Sequence, residues 1–169
     1  MAVREVLVYP NPLLKQVAAP AQAAEAESVG RDLLDTMRSF ERCVGLAAPQ
    51  LGELVRVVVV DVSEHPAAQT SNGLLVLVNP RVTESHGSVV AREGCLSIPD
   101  LTANVRRATR VTVAHADGEI ECEGFEARCV LHEIDHLDGV LFLDRVESLV
   151  DDVFRGRNYS EPSRPPSAD

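Results

Sequence analysis

Apolar positions along the chain change period several times, and each change marks an element. From about Ser28 to Arg42, Leu33, Leu34, Met37 and Phe40 fall on one stripe, with Arg31, Asp32, Arg38 and Glu41 elsewhere. That spacing predicts an amphipathic packing helix. Before it, residues 1–20 hold a short strand-like run closed by Pro10-Asn11-Pro12, and residues 21–26 suit a loop or an early helix start. Cys43 to Gly52 is rich in small residues, with one Pro and two Gly, and predicts a tight loop. Leu54 to Val62 is an apolar, β-branched run and predicts a buried strand. A polar loop from Ser63 to Gly73 follows, then a strand from Leu74 to Val78 closed by Asn79-Pro80. Arg81 to Arg92 suits one or two short strands broken at Gly87, and Glu93 to Pro99 is a further segment marked by Gly and Pro. Arg110 to Ala116 alternates as a strand, Asp117-Gly118 signals a hairpin, and Glu119 to Glu123 is the return strand.

The period then returns to that of a helix from about Gly124 to Asp138. Phe125, Cys129, His132 and His136 recur at spacings of three and four, as do Val130, Ile134 and Leu137. Gly139 is placed to end this helix in a left-handed cap. Within it stands His132-Glu133-Ile134-Asp135-His136, a His-Glu-x-x-His pattern. Positions four apart share a helical face, so both imidazoles can reach one metal ion. Glu133, rotated by about 100°, can reach a water at that ion and act as its general base. Two histidines on one face are often only partly buried surface residues; the intervening Glu makes the pattern specific to metal chemistry. Strands in the middle and one long late helix predict an α+β fold, with antiparallel or mixed β-sheets around a central metal-binding helix.

Composition narrows the picture. The chain has 169 residues, enough for one domain with a sizeable core, and only 4% are aromatic, so Val, Leu and Ala must build it. The formal net charge of −10 argues against DNA, broad RNA binding and anionic membrane, and leaves room for local basic patches. Met1 to Tyr9 has no basic segment leading into a long apolar run, and no apolar stretch has the length of a membrane span. The expected location is the cytoplasm, where Cys43, Cys95, Cys122 and Cys129 are free thiols, core residues or ligands. Residues 1–150 are expected to form the catalytic domain. Residues 151–169, ending in Gly, Asn, Ser and Pro, are expected to be a disordered tail.

A catalytic site of this type has three protein ligands and one open position. For the third ligand the pattern leaves His65, His86, His115, the acids and the cysteines. Cys95 is attractive because it sits in a turn-like loop and a thiolate is a strong ligand, although it also suits a small buried hydrophobe.

Glu93-Gly94-Cys95-Leu96-Ser97, Gly45-Leu46-Ala47-Ala48-Pro49-Gln50 and His132-Glu133-Ile134-Asp135-His136-Leu137-Asp138-Gly139 together resemble the three signature segments of the peptide deformylases. The resemblance runs from roughly Val6 to Arg145. It implies that Cys95, His132 and His136 bind one divalent metal per chain, Fe²⁺ foremost, with Zn²⁺, Ni²⁺ and Co²⁺ as alternatives. It implies a hydrolase that removes the formyl group from N-formylmethionine on new polypeptides. Glu133 would be the general base, and the Gln50 side-chain amide and the Leu96 backbone N–H would be the oxyanion donors. Val44, Gly45 and Gly94 would offer backbone groups to an extended substrate. Cys129, with Phe125 and the stem of His132, would line the methionine pocket. The ribosome surface is a further partner that this implies. Three positions depart from the family pattern: Cys43 replaces a Gly, Leu131 a Gln, and Arg106 a Pro. They motivate a second reading, a metal-binding paralogue with weak or lost catalysis. A third, a zinc endopeptidase, rests on His-Glu-x-x-His alone.

Overall fold

A computed structural model describes residues 2–156. Nine strands form three three-stranded sheets, and every pairing between named strands is antiparallel. The first sheet is β1 (Gly45–Ala47), β2 (Val57–Val60) and β3 (Leu75–Val78). The second is β4 (Arg81–His86), β7 (Arg110–His115) and β8 (Gly118–Glu123), with β7 central. The third is β5 (Val89–Cys95), β6 (Ile98–Arg107) and β9 (Val153–Arg155), with β6 central. Helix α1 spans Ala23–Ser39 and α2 spans Gly124–Leu137.

The four consecutive valines of β2 explain the layering. All are fully buried. Val57 and Val59 pack with Ala26, Val29, Leu33 and Met37 of α1, whereas Val58 and Val60 pack with Ala127, Val130, Ile134 and Leu137 of α2. A strand covered on both faces has no reason to alternate with polar residues. Burying each valine contributes on the order of 2 kcal/mol. Helix α2 is thereby central and also touches β1, β7 and β8.

Several boundaries differ from the sequence expectations. Helix α1 begins at Ala23, because the Glu25 carboxylate accepts from the Gln22 backbone N–H at 3.4 Å and caps it earlier. It ends at Ser39, before Arg42 takes a left-handed φ of +64°. The N-terminal run joins no sheet. Instead, Leu7 N–H donates to the Gln50 carbonyl at 2.7 Å and Tyr9 N–H to the Ser97 carbonyl at 2.8 Å. The hairpin turns at Ala116-Asp117, one residue early, with Gly118 opposite His115. Strand β6 is unannounced by any apolar run, since Arg107 takes an inward position beyond Ala103 and Val105. Within the tail expected from residue 151, Val153–Arg155 pairs with Leu101–Ala103, and Arg92 lies 3.5 Å over the Phe154 ring. The rest of that tail, residues 157–169, lies outside the described residues. No helix among the described residues is long and apolar enough to cross a membrane.

Two features hold α2 in place. Its C-terminus closes as a Schellman motif: Gly139 N–H donates to the His136 carbonyl at 3.2 Å and Val140 N–H to that of Asp135 at 2.9 Å. Gly139 has φ +69°, and a Cβ there would stand 2.6 Å from the Lys15 carbonyl oxygen. The second feature is a buried ion network. Arg107 donates to both Glu93 carboxylate oxygens, at 2.8 and 3.0 Å, and to Asp135 at 2.6 Å. Arg145 closes the other side of Asp135 with bonds of 2.5 and 2.7 Å. Burial opposes charge on Glu93, but hydrogen bonds from His132 and Arg107 outweigh it and bring its carboxyl from 4.5 down to about 2.

Gly139→Ala should lower stability by about 2 kcal/mol or more, read as an earlier urea midpoint; a midpoint equal to wild type would show that the Lys15 backbone yields. A carboxyl whose folded pKa is depressed contributes stability above its unfolded value and loses it as pH falls. Between pH 4.5 and about 2 the Glu93 carboxylate should therefore account for a loss of roughly 3 kcal/mol. Glu93→Gln should flatten acid unfolding in that window, and parallel acid profiles for the two proteins would refute the assignment.

Candidate metal centre and its cavity

Among the described residues, one group of metal-ligating side chains converges closely enough to hold an ion. It is Cys95, His132 and His136, whose ligand atoms all lie within 4.8 Å of one another. Cys95 ends β5, and a register shift between Glu93 and Cys95 precedes the two-residue turn Leu96-Ser97 into β6. This places its thiol beneath α2, with Sγ 3.3 Å from His136 Nε2. That separation suits one edge of a tetrahedron with metal–sulfur bonds of about 2.3 Å and metal–nitrogen bonds of about 2.1 Å. His132 Nδ1 lies 2.9 Å from Glu93 Oε2, which leaves its Nε2 as the ligand atom. One thiolate and two imidazoles make three protein ligands, the number that leaves a fourth position open. The donor set and its geometry fit a divalent ion.

The other histidines stand apart from this group. His86 is exposed near Glu84, and His115 Nδ1 accepts from the Asp117 N–H at 3.4 Å. His65 stacks on Phe125, ring centroids 4.2 Å apart, and lines the adjoining cavity.

That cavity has a volume of about 250 Å³. Glu133, Gln50, Leu96, Val44, Gly45, Gly94 and Cys129 all line it, together with Cys95 and His132. Glu133 is 5% exposed, and its Oε2 has no hydrogen-bond partner among the described residues. Burial pushes its carboxyl up to about 7, against the opposing charge of His132. Gly45 exists to admit it: a Cβ at Gly45 would lie 2.6 Å from Glu133 Oε1. Gln50 is buried on the second 3-10 turn, Ala48–Leu51. Its Oε1 accepts from Ala47 N–H at 2.9 Å, and its Nε2 donates to Ser97 Oγ at 3.1 Å and toward Cys95 Sγ at 3.5 Å.

The cavity runs between two free sheet edges. β1 is an edge strand, and so is β5. Asp61 N–H donates to the Val44 carbonyl at 2.8 Å, so Val44 faces β2. By strand alternation Gly45 then directs its backbone groups to the open edge. Gly45, rather than the Val44 carbonyl, faces the side open to an added strand.

The three departures have local explanations. Cys43 does not need a left-handed φ; Arg42 takes it instead. Burial, then the nearby Glu133 charge, pushes the Cys43 thiol up to about 12, so it stays protonated and donates to the Gly45 carbonyl at 3.2 Å. Leu131 packs against the core around α2. Arg106 is exposed and pairs with Glu147 at 2.8 Å. Sequence reasoning gave no role to Glu93, Arg107, Ser97, Arg42 or Arg128. For Glu93 a signal existed: it is two residues before Cys95, hence on the same strand face.

Comparisons with known proteins place this arrangement. A family model described as polypeptide deformylase matches residues 3–152. A peptide deformylase of Alkalilimnicola ehrlichii is 43% identical over 156 residues, 88% of this chain and 85% of that protein. One of Thermodesulfovibrio yellowstonii is 39% identical over 162 residues, 92% of this chain and 96% of that protein. A solved peptide deformylase of Legionella pneumophila superposes with TM-score 0.76 at 38% identity, covering 88% of each chain. A class I type b enzyme of Acinetobacter baumannii, solved with Met-Ala-Ser bound, gives 0.77 at 34% identity over 86% of this chain and all of that one. With signature segments, fold and side-chain constellation in agreement over most of its length, the chain belongs to the polypeptide deformylase family.

Proposed function

We propose that this chain hydrolyses the formyl amide of N-formylmethionine at the N-terminus of newly synthesised polypeptides, releasing formate. The observation that carries this reading is one cavity flanked by the Cys95–His132–His136 group, the unpartnered Glu133 carboxylate and the Gln50 carboxamide. A metal-binding paralogue without turnover would need neither Glu133 nor Gln50. A zinc endopeptidase is disfavoured by the thiolate in the donor set.

A divalent ion held by Cys95, His132 and His136 would supply Lewis acidity to a water and to the formyl carbonyl. The rest falls to the chain. An extended peptide adds between the free edges of β1 and β5, using Gly45 and Gly94 backbone groups, and its methionine side chain enters the cavity beside Cys129 and Phe125. Glu133, with a pKa near neutrality, takes a proton from the water as its oxygen bonds to the formyl carbon. The carbonyl electron pair moves onto the formyl oxygen, where Gln50 Nε2 and the Leu96 N–H donate. Gln50 Nε2 carries two hydrogens, so one can remain on Ser97 while the other turns to the substrate. The carbon–nitrogen bond then breaks, and Glu133 returns its proton to the methionine nitrogen.

Fe²⁺ is the ion proposed, on the family resemblance, with Zn²⁺, Ni²⁺ and Co²⁺ as alternatives that the same donor set would accept, and metal analysis of anaerobically purified protein tests the choice. The cytoplasm is the proposed location, and a contact with the ribosome surface would have to use a local basic patch. Formate release from a formyl-Met tripeptide by the metal-loaded protein tests the activity.

Glu133→Ala should keep its metal and lose about 10³-fold in kcat; loss of metal from that variant would refute the general-base role. Gly45→Ala should displace Glu133 and cost about 10²-fold in kcat with metal content unchanged, and a rate equal to wild type would show that the carboxylate has room to yield.

A further inference from the structure

The mouth of the cavity is basic in a chain whose net charge is −10. Arg42 and Arg128 both line it, and neither has a carboxylate partner among the described residues. Arg128 stands four residues before His132, one turn along the same face of α2. Its Nη2 donates to the Arg92 carbonyl at 3.1 Å, and its buried Nε has no partner. Its guanidinium carbon is 5.4 Å from the Phe125 ring centroid. Phe125 in turn carries the His65 ring on its face. His65 Nδ1 accepts from Ala67 N–H at 3.1 Å, so its Nε2 bears the hydrogen. Arg42, Arg128 and His65 all line the cavity, and burial, then the charges of Arg128 and Arg42, lowers the His65 pKa. Two guanidinium groups without a carboxylate partner among the described residues and a neutral N–H donor therefore line one cavity, with Arg128 one helical turn before His132.

We propose that Arg128 and Arg42, with His65 Nε2–H, form an anionic subsite that binds an acidic side chain within the two residues following the formyl-methionine. The proposal rests on the deformylase reading for the direction in which the peptide lies. With its N-terminal formyl group at Glu133 and its methionine side chain beside Cys129, the extended chain leaves the cavity past Arg128 and Phe125. A carboxylate there gains a charged guanidinium partner at a part-buried position. An asparagine of equal size does not. The subsite selects among nascent chains by their second and third residues and takes no part in the chemical step.

The test compares C-terminally amidated formyl-Met-Asp-Ser and formyl-Met-Ala-Asp with their Asn counterparts, on the metal-loaded enzyme. The kcat/KM ratio of Asp to Asn should reach about three- to fivefold for at least one position, and fall towards one as ionic strength rises from about 0.05 M to about 0.5 M. Arg128→Gln should bring that ratio to about one and Arg128→Glu should invert it. Arg42→Gln, at an exposed turn, should lower it and serves as the second variant should the helix substitution fail to fold. A ratio near one in wild type, or one unmoved in the variants, overturns the proposal. Calorimetry with the unformylated amides Met-Ala-Asp, Met-Asp-Ser and their Asn forms separates the two readings. Absence of formate release from every peptide would overturn the deformylase reading, while the Asp-over-Asn binding ratio would still decide the subsite.

Discussion

The Arg107 guanidinium is the contact on which the rest of the site depends. It reaches Glu93 on β5 and Asp135 on α2 at once, with side chains only 3%, 7% and 9% exposed. Removing one partner from a buried charge pair typically costs about 3–5 kcal/mol, because the other charge is stranded. Here two carboxylates would lose a partner at once: Glu93 would keep only His132, and Asp135 only Arg145. The ion pairs on the outside, such as Arg106 with Glu147, are solvated and contribute little. The weld between β5 and α2 is therefore electrostatic and local, and Cys95 is brought under His136 by the strand that Glu93 anchors.

Around that weld the apolar layers set distances that the ion pairs alone could not. Strand β2 is sandwiched between α1 and α2, so the position of α2 is fixed by packing on Val58 and Val60. The same strand carries β1 on its edge, and β1 carries Gly45 to within contact of Glu133. Gln50 is held from a third direction. The N-terminal segment clamps its backbone through Leu7 and clamps Ser97 through Tyr9, and Ser97 Oγ receives the Gln50 amide. Glu133 and both imidazoles thus come from α2, Cys95 from β5 and the Gln50 amide from the turn after β1, and each element is tied to its own support.

Helix α2 was legible in the sequence because its period, its histidine spacing and its terminal glycine all point the same way. Strands β2, β3, β7 and β8 were legible from β-branched runs and a turn signal. Strand β6 was not, because its inward positions end in Arg107, a residue that reads as surface until its two carboxylate partners are known. Strand β9 was hidden for a related reason: Phe154 is covered by Arg92 from a distant strand, and no local pattern announces that contact. The converging Cys95, His132 and His136, and Glu133 beside them, all lie in the short segments that carry the family resemblance. What escaped were the groups acting through long-range contacts, Glu93 on His132 and the N-terminal run on Gln50.

Charge accounting explains why Glu133 alone is left near neutrality. Glu93 is held ionised by His132 and Arg107, and Asp135 is flanked by Arg107 and Arg145. Glu93 is therefore committed and cannot trade protons at ordinary pH, and Asp135 is hydrogen-bonded from both sides. Glu133 has burial without a hydrogen-bonded cation, so burial dominates and raises its carboxyl to about 7. Gly45 matters here in a second way, since any side chain at that position would fill the space that Glu133 Oε1 now occupies. The fold therefore separates carboxylates that hold structure from the one that can move a proton. It does so by where the arginines reach: Arg107 and Arg145 hydrogen-bond Glu93 and Asp135, and Glu133 Oε2 has no partner among the described residues.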